Sequence, residues 1–308
     1  MLTATMVVGA LMSQGIVSHA QEGPHVNAEA LHYKVFTVKR QGVNRDPHMP
    51  IVPDNLKWVA NSATLIYGKK DAALVDCFLT IEQTNSLIES IAATGKDLKY
   101  IYITHGHGDH FFGLQMLLDR FPNAKAISTP AIINDMPEMV KPEMLENYWN
   151  KLFPGQIPAR LTFPQALEGN TFNLEGHSIQ VIGTGFTDTH NSTSIYVPSI
   201  GLLVAGDVVY NEIHPYLAET TKQTRQEWIA ALSKLESLHP KAAVAGHKNP
   251  DNSDSPDNIA ATKKYLEDFE QLNNETSSAK ELFDKMFALY PQRANPGSLW
   301  GAATKAKQ

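Results

Sequence analysis

The chain has 308 residues, of which 43% are hydrophobic and 19% charged, with a formal net charge of -6. That length can bury the core of one large domain or two small ones, and the acidic balance gives no electrostatic footing for nucleic acid or an anionic lipid surface. The single cysteine, Cys77, excludes an internal disulfide framework and a cysteine-rich zinc site. Any metal would therefore be held by histidine and carboxylate.

Residues 1–17 are largely apolar, and Ser18-His19-Ala20 follows with small residues where a signal peptidase cuts. Residues 1–20 thus read as a signal peptide, which predicts a periplasmic or secreted protein, the cytoplasm being the alternative. No stretch is long enough to predict a membrane span. A domain over 30–308 follows. Alternation predicts a strand at 33–38, and Gly42, Pro47, Pro50 and Pro53 predict loop over 39–57. Residues 62–68 and 72–76 read as a hairpin, and 81–93 as a helix with Leu87, Ile88 and Ile91 on one face. A strand at 100–103, a helix at 111–121 and a strand at 124–128 come next. Residues 135–158 are rich in Met, Pro, Trp and Phe and read as an apolar insertion that covers something. Strands are predicted at 178–183, 194–197, 201–206 and 242–246, with a helix at 225–238. Residues 257–289 read as two helices broken near Asn273-Asn274. Strands with flanking helices in both halves predict an α/β protein, an αββα sandwich of two mixed β-sheets flanked by helices.

His105, His107, Asp109 and His110 fall within six residues, just past a predicted strand, where α/β folds place ligands. Gly106 and Gly108 would let the backbone turn so that these side chains converge. Hard oxygen and borderline nitrogen donors suit zinc, with iron or manganese also possible donor matches. His190, Asp207 and His247 stand at similar strand ends. Singly each reads as a turn or capping residue. Four ligand types in one short run have no ordinary packing rationale, and they raise the other three together.

The run Thr104-His105-Gly106-His107-Gly108-Asp109-His110 resembles the HxHxDH signature of the metallo-β-lactamase superfamily. His190, Gly206-Asp207 and Gly246-His247 follow in that family's order, and Asp76 matches its early aspartate. The resemblance spans about residues 62–247. It implies two zinc ions, one on His105, His107 and His190, the other on Asp109, His110 and His247, with Asp207 as the bridge. It also implies a metal-bridging hydroxide attacking a carbonyl, Asp109 relaying a proton, and Asp76 orienting the ligands from behind. Aspartate at 207 resembles the lactonase and glyoxalase II-like branch rather than the lactamases that use cysteine there. Tyr210, three residues on, matches a tyrosine that acyl-homoserine lactonases aim at the substrate carbonyl; packing beside the site is the equal alternative. At the third histidine the family's usual Pro-Gly-His is replaced by Asp188-Thr189-His190.

Phe111, Phe112, Trp149 and Phe153, with Tyr148 and Leu152, would wall an apolar substrate pocket, or else form a small core under a loop. His214 reads either as pocket rim or as surface. The function expected is hydrolysis of a lactone or ester, such as an N-acyl-homoserine lactone, with an apolar portion. The alternatives are a β-lactamase, a glyoxalase II-like thioesterase and a mononuclear iron persulfide dioxygenase.

Overall fold

A computed structural model describes residues 29–42 and 46–308 of the chain. The signal peptide expected over 1–20 lies outside the described residues. Among the described residues, eleven strands form two sheets. The first runs β1(His32–Gln41), β2(Trp58–Tyr67), β3(Asp71–Val75), β4(Asp97–Tyr102), β5(Lys125–Ser128) and β6(Gln165–Ala166), each strand beside the next. The second contains β7(Thr171–Leu174), β8(His177–Gly185), β9(Ser192–Val197), β10(Leu202–Asn211) and β11(Ala242–Lys248), in the order β11-β10-β9-β8-β7. Both sheets mix parallel and antiparallel pairs: β2 with β3 is antiparallel and β3 with β4 parallel, while β9 with β10 is antiparallel and β10 with β11 parallel.

The layering follows from side chains alternating along each strand. Leu65 and Leu74 point to the helices, where they meet Leu87, Ile91 and Leu117. Their neighbours Ile66, Ala73 and Val75 point the other way and meet Ile179, Ile195 and Val204 of the second sheet. On β10, Leu203 turns outward to Trp228, Leu232 and Phe269, whereas Leu202 and Val204 face inward. Three apolar layers thus separate helix, sheet, sheet and helix, which is the αββα sandwich expected.

The helix Ile81–Ala92 starts at a Thr80–Gln83 capping box and buries Leu87, Ile88 and Ile91 as its spacing predicts. Strand β1 extends into the predicted loop, because Gln41 pairs with Trp58 at the far end of β2. The expected helix over 111–121 is two pieces, Gly108–Phe111 and Leu114–Arg120. The expected insertion is helical throughout much of its length: a 3₁₀ turn at Met136–Val140 leads into short turns ending at Leu152, with Pro137 and Pro142 restarting the chain. At the C-terminus the two helices expected over 257–289 form as Asp257–Glu275 and Ala279–Leu289, and a third, Pro296–Ala306, follows them. The first break comes at Thr276, where the Ser278 side chain caps the next helix by accepting from Glu281 N. The third helix escapes sequence reading because Pro296, Gly297 and Gly301 obscure its periodicity; Leu299, Trp300, Ala302 and Ala303 nevertheless bury one face. Among the described residues, no helix is long and apolar enough to cross a membrane.

Candidate metal centre

Strand ends on both sheets converge at one edge of the sandwich. Asp76 follows β3, the run 103–107 follows β4, Asp188 lies between β8 and β9, Asp207 is on β10 and His247 on β11. The sheets are tied together there. Ser62 Oγ of β2 donates to the carbonyl of Ala245 on β11, and Thr193 N of β9 donates to Thr104 O at 2.9 Å. Two glycines allow the close approach. Gly206 has φ +58°, and a Cβ there would stand 2.7 Å from Thr104 Oγ1. A Cβ on Gly246 would stand 2.1 Å from Asp207 Oδ1. Each therefore clears space for a neighbour of the ligand set. Gly106 and Gly108, expected to turn the backbone, do not adopt positive φ. Gly108 opens a helical turn and makes room for the rings of Phe112 and Trp149.

Seven ligand-type side chains gather into two groups. His105, His107, Asp188 and Asp207 offer donor atoms to one point, and Asp109, His110 and His247 to another. Asp207 reaches both: its Oδ2 is 3.9 Å from His105 Nε2 and 2.9 Å from His247 Nε2, and its Oδ1 is 3.3 Å from His110 Nε2. His190 does not belong to either group. It is exposed and packs edge-on against Phe186, with ring centroids 4.5 Å apart. Asp188 stands in the place expected of it, buried, with Oδ2 3.8 Å from His105 Nε2 and 3.0 Å from His107 Nδ1. The bent loop between β8 and β9 turns Asp188 inward and leaves His190 on the outside. Position in the motif order could not reveal this, because both residues are ligand types two positions apart.

The hydrogen bonds orient each imidazole. Asp76, at φ +62°, accepts from Thr104 N and Thr104 Oγ1, both at 2.8 Å, and from His110 Nδ1 at 3.0 Å. With its hydroxyl proton committed to Asp76, Thr104 Oγ1 accepts from His105 Nδ1 at 3.0 Å. His247 Nδ1 donates to Ala60 O at 2.8 Å. These bonds leave Nε2 of His105, His110 and His247 as lone-pair donors toward the cluster. His107 is reversed: its Nε2 donates to Glu219 Oε1 at 3.3 Å, so Nδ1 faces inward. Glu219 also accepts from Thr189 Oγ1 at 3.0 Å. Asn61 Nδ2 donates to Asp109 Oδ2 at 2.8 Å. Asp188, Glu219 and Asn61 were missed by sequence reading; Asp188 alone carried a signal, its closeness to the expected third histidine.

His105 Nε2, His110 Nε2, Asp188 Oδ2 and Asp207 Oδ1 are buried and make no aligned hydrogen bond among the described residues. Buried polar atoms without partners are costly, and these four point at common centres. Imidazole nitrogens and carboxylate oxygens so placed fit divalent metal ions. The local charge fits too. Burial pushes Asp207 up, but His247 and His110 hold its carboxyl well below the usual range. Burial pushes His107 down, yet Asp188 and Glu219 raise it well above the usual histidine value.

A cleft of about 550 Å³ opens over the cluster. Its floor includes His107, Asp109, Asp207, Tyr210 and His247. Trp149 of the helical segment and Phe153 just after it line one wall, and Trp300 of the last helix lines another. Phe111 and Phe112, expected in this pocket, lie instead in the core beneath Trp149, fully buried against Leu114 and Leu117. They sit on the inner face of the helical turn that carries Asp109 outward. His214 lines the cleft but is neither rim nor surface: it is fully buried, with Nδ1 2.9 Å from Tyr265 Oη. Tyr210 is buried against His247, its ring nearly parallel at 5.5 Å, and its hydroxyl donates to Asp207 Oδ2 at 3.0 Å.

The family model of the metallo-beta-lactamase superfamily matches residues 56–247, from just before β2 to the last ligand-type histidine. The chain belongs to the metallo-beta-lactamase superfamily. Members of this superfamily are generally metal-dependent hydrolases. The chain is 23% identical to a beta-lactamase-like protein 2 homolog of Caenorhabditis elegans over 167 residues, covering 54% of this chain and 48% of that protein. It is 35% identical to a hydroxyacylglutathione hydrolase of Francisella tularensis over 74 residues, covering 22% of this chain and 28% of that one. The chain thus spans about half or less of the length of these two relatives. Among solved metallo-beta-lactamase folds, a family protein from Thermus thermophilus superimposes with a TM-score of 0.58 at 22% identity, covering 89% of this chain and 91% of that one. A metallo-beta-lactamase from Pontibacter korlensis gives 0.55 at 16% identity, covering 77% and 99%.

Proposed function

We propose that this superfamily member is a binuclear metal-dependent hydrolase that cleaves a lactone or ester carrying an apolar portion, an N-acyl-homoserine lactone being the first candidate. The observation that carries the reading is the set of buried, inward-facing donor atoms of the two ligand groups lying under a cleft with an aromatic wall. When bound, divalent ions at such donors acidify water toward neutrality and polarise a carbonyl.

The chain's own residues supply the rest. Asn61 fixes one oxygen of Asp109 and leaves the other to hold a proton passing to the leaving oxygen. Burial, and then the charge of Asp207, hold the Tyr210 hydroxyl well above its usual pKa, so it stays protonated and acts as a donor. In the structure it donates to Asp207; a substrate carbonyl oxygen above the cluster is its alternative acceptor. Trp149 and Phe153 offer apolar surface to an acyl chain and exclude water from it.

The test is a panel of an acyl-homoserine lactone, an aryl ester, a thioester and a cephalosporin, assayed with metal-loaded and chelator-treated protein. Lactone or ester turnover that disappears with the metal, and with His107→Ala or Asp207→Ala, is expected. Cephalosporin turnover without lactone or ester turnover would overturn the substrate assignment. The thioester arm addresses the similarity to hydroxyacylglutathione hydrolase.

A further inference from the structure

The loop between β8 and β9 presents a carboxylate where an imidazole was expected. Asp188 Oδ1 accepts from Thr187 Oγ1 at 2.8 Å, which orients the group. Its Oδ2 is buried, faces His105 and His107 and makes no aligned hydrogen bond. His190, exposed on the outer side of the same loop, takes no part.

This changes the donor count on one side of the centre. One half-site holds His105, His107 and Asp188, the other holds His110, His247 and Asp109, and Asp207 contacts both. Each half-site therefore presents two imidazole nitrogens, one carboxylate of its own and a share of Asp207. We propose that Asp188 makes the two half-sites alike in donor type and gives the centre one more carboxylate than it would have with an imidazole there. The centre then binds two ions of one element and accepts manganese against zinc more readily than a centre with a third imidazole. The physical reason is donor hardness: carboxylate suits manganese, whereas imidazole suits zinc, iron, copper and nickel. Three carboxylates facing two dications also compensate more of the metal charge than two would. The inference rests on the site being a metal centre, as proposed above, but not on any substrate.

Metal binding itself provides the test. Metal-free full-length protein is equilibrated with equimolar Mn²⁺ and Zn²⁺ in limiting amount, and bound ions are counted by mass spectrometry, with Mn²⁺ spin coupling read by electron paramagnetic resonance. Calorimetric titration with Mn²⁺ alone follows filling. The native protein should fill two sites in a single resolved step and give the signal of a coupled manganese pair. Asp188→His should raise the bound Zn:Mn ratio about tenfold or more and split the zinc titration into two steps. Asp188→Asn, close in size and lacking the charge, should lose about one ion and covers the case in which Asp188→His does not fold. His190→Ala should bind like the native protein. An unchanged Zn:Mn ratio in Asp188→His, or loss of an ion in His190→Ala, would overturn the inference while leaving the hydrolase reading intact. Failure of the native protein to bind any divalent ion would overturn both.

Discussion

Asp76 holds the run from Thr104 to His110 from behind. Its φ of +62° is a conformation that Asp and Asn tolerate better than other side chains. From there it receives the backbone and hydroxyl of Thr104 and the Nδ1 of His110. Replacing it with alanine should weaken metal binding by about 10- to 100-fold, read by calorimetric titration. Asp76→Asn keeps the backbone and part of the bonding and should fall between; an alanine variant with native affinity would remove Asp76 from this role. A second residue acts through pH. Burial first, then the nearby Arg293 charge, hold His214 well below the usual histidine value, so it is neutral in the fold. The unfolded chain protonates this residue near its ordinary value of about 6.5, so below that pH the unfolded state binds a proton that the folded state refuses. Its contribution is present above pH ~6.5 and is lost at about 1.4 kcal/mol per unit as pH falls. His214→Gln should therefore flatten the acid limb of the stability curve between about pH 6.5 and 5, measured by denaturant titration in chelator. An identical slope in native and variant protein would refute the assignment.

At the scale of elements, the helical segment from Met136 to Leu152 and the last helix, Pro296–Ala306, wall the cleft from two sides. Trp149 does two jobs. Its ring packs edge-on against Phe112 in the core, with centroids 5.3 Å apart, and its outer side lines the cleft. Phe153 lies nearly parallel to it, at 6.4 Å, and is free of the core's full burial. Phe153→Ala should therefore raise KM for a long-chain acyl substrate by about tenfold with kcat nearly unchanged, the signature of lost uniform binding. The effect should shrink as the acyl chain shortens. A drop in kcat at constant KM would instead place Phe153 near the reacting atoms.

Across the whole molecule, the proposed metal centre draws ligand-type residues from four places in the chain. Residues 105–110 follow a strand of the first sheet, while Asp188, Asp207 and His247 belong to the second. Ions held between them would bind the assembled sandwich and not the open chain, so occupancy adds to stability. At free metal about a thousand times the dissociation constant, the gain is about 4 kcal/mol, which for a chain of this size is a rise in Tm on the order of 10 °C. Differential scanning calorimetry with and without chelator measures it. A Tm indifferent to chelator would argue that the donors hold no ion in the native fold.

The amino-acid sequence by itself determined the layered architecture, because apolar runs such as Ala72–Val75 can only be strands buried on both faces, and the helical spacing that flanks them supplies the outer layers. It also determined the run from His105 to His110, since so dense a set of ligand types is not used for packing. Several features were decided only by the tertiary structure. Asp188 rather than His190 faces the cluster because the turn after β8 sets which side chain is buried, and that turn is held by Thr187 Oγ1 on Ser192 Oγ and by Asn191 Nδ2 on the distant Asp135 carboxylate. Glu219 and Asn61 reach His107 and Asp109 from positions 112 and 48 residues away. Phe111 and Phe112 are core because a helical turn points them inward, a choice made by the space beside Gly108. Local pattern specifies which elements form and which face is apolar; which ligand types meet is a property of long-range approach, and no window of sequence contains it.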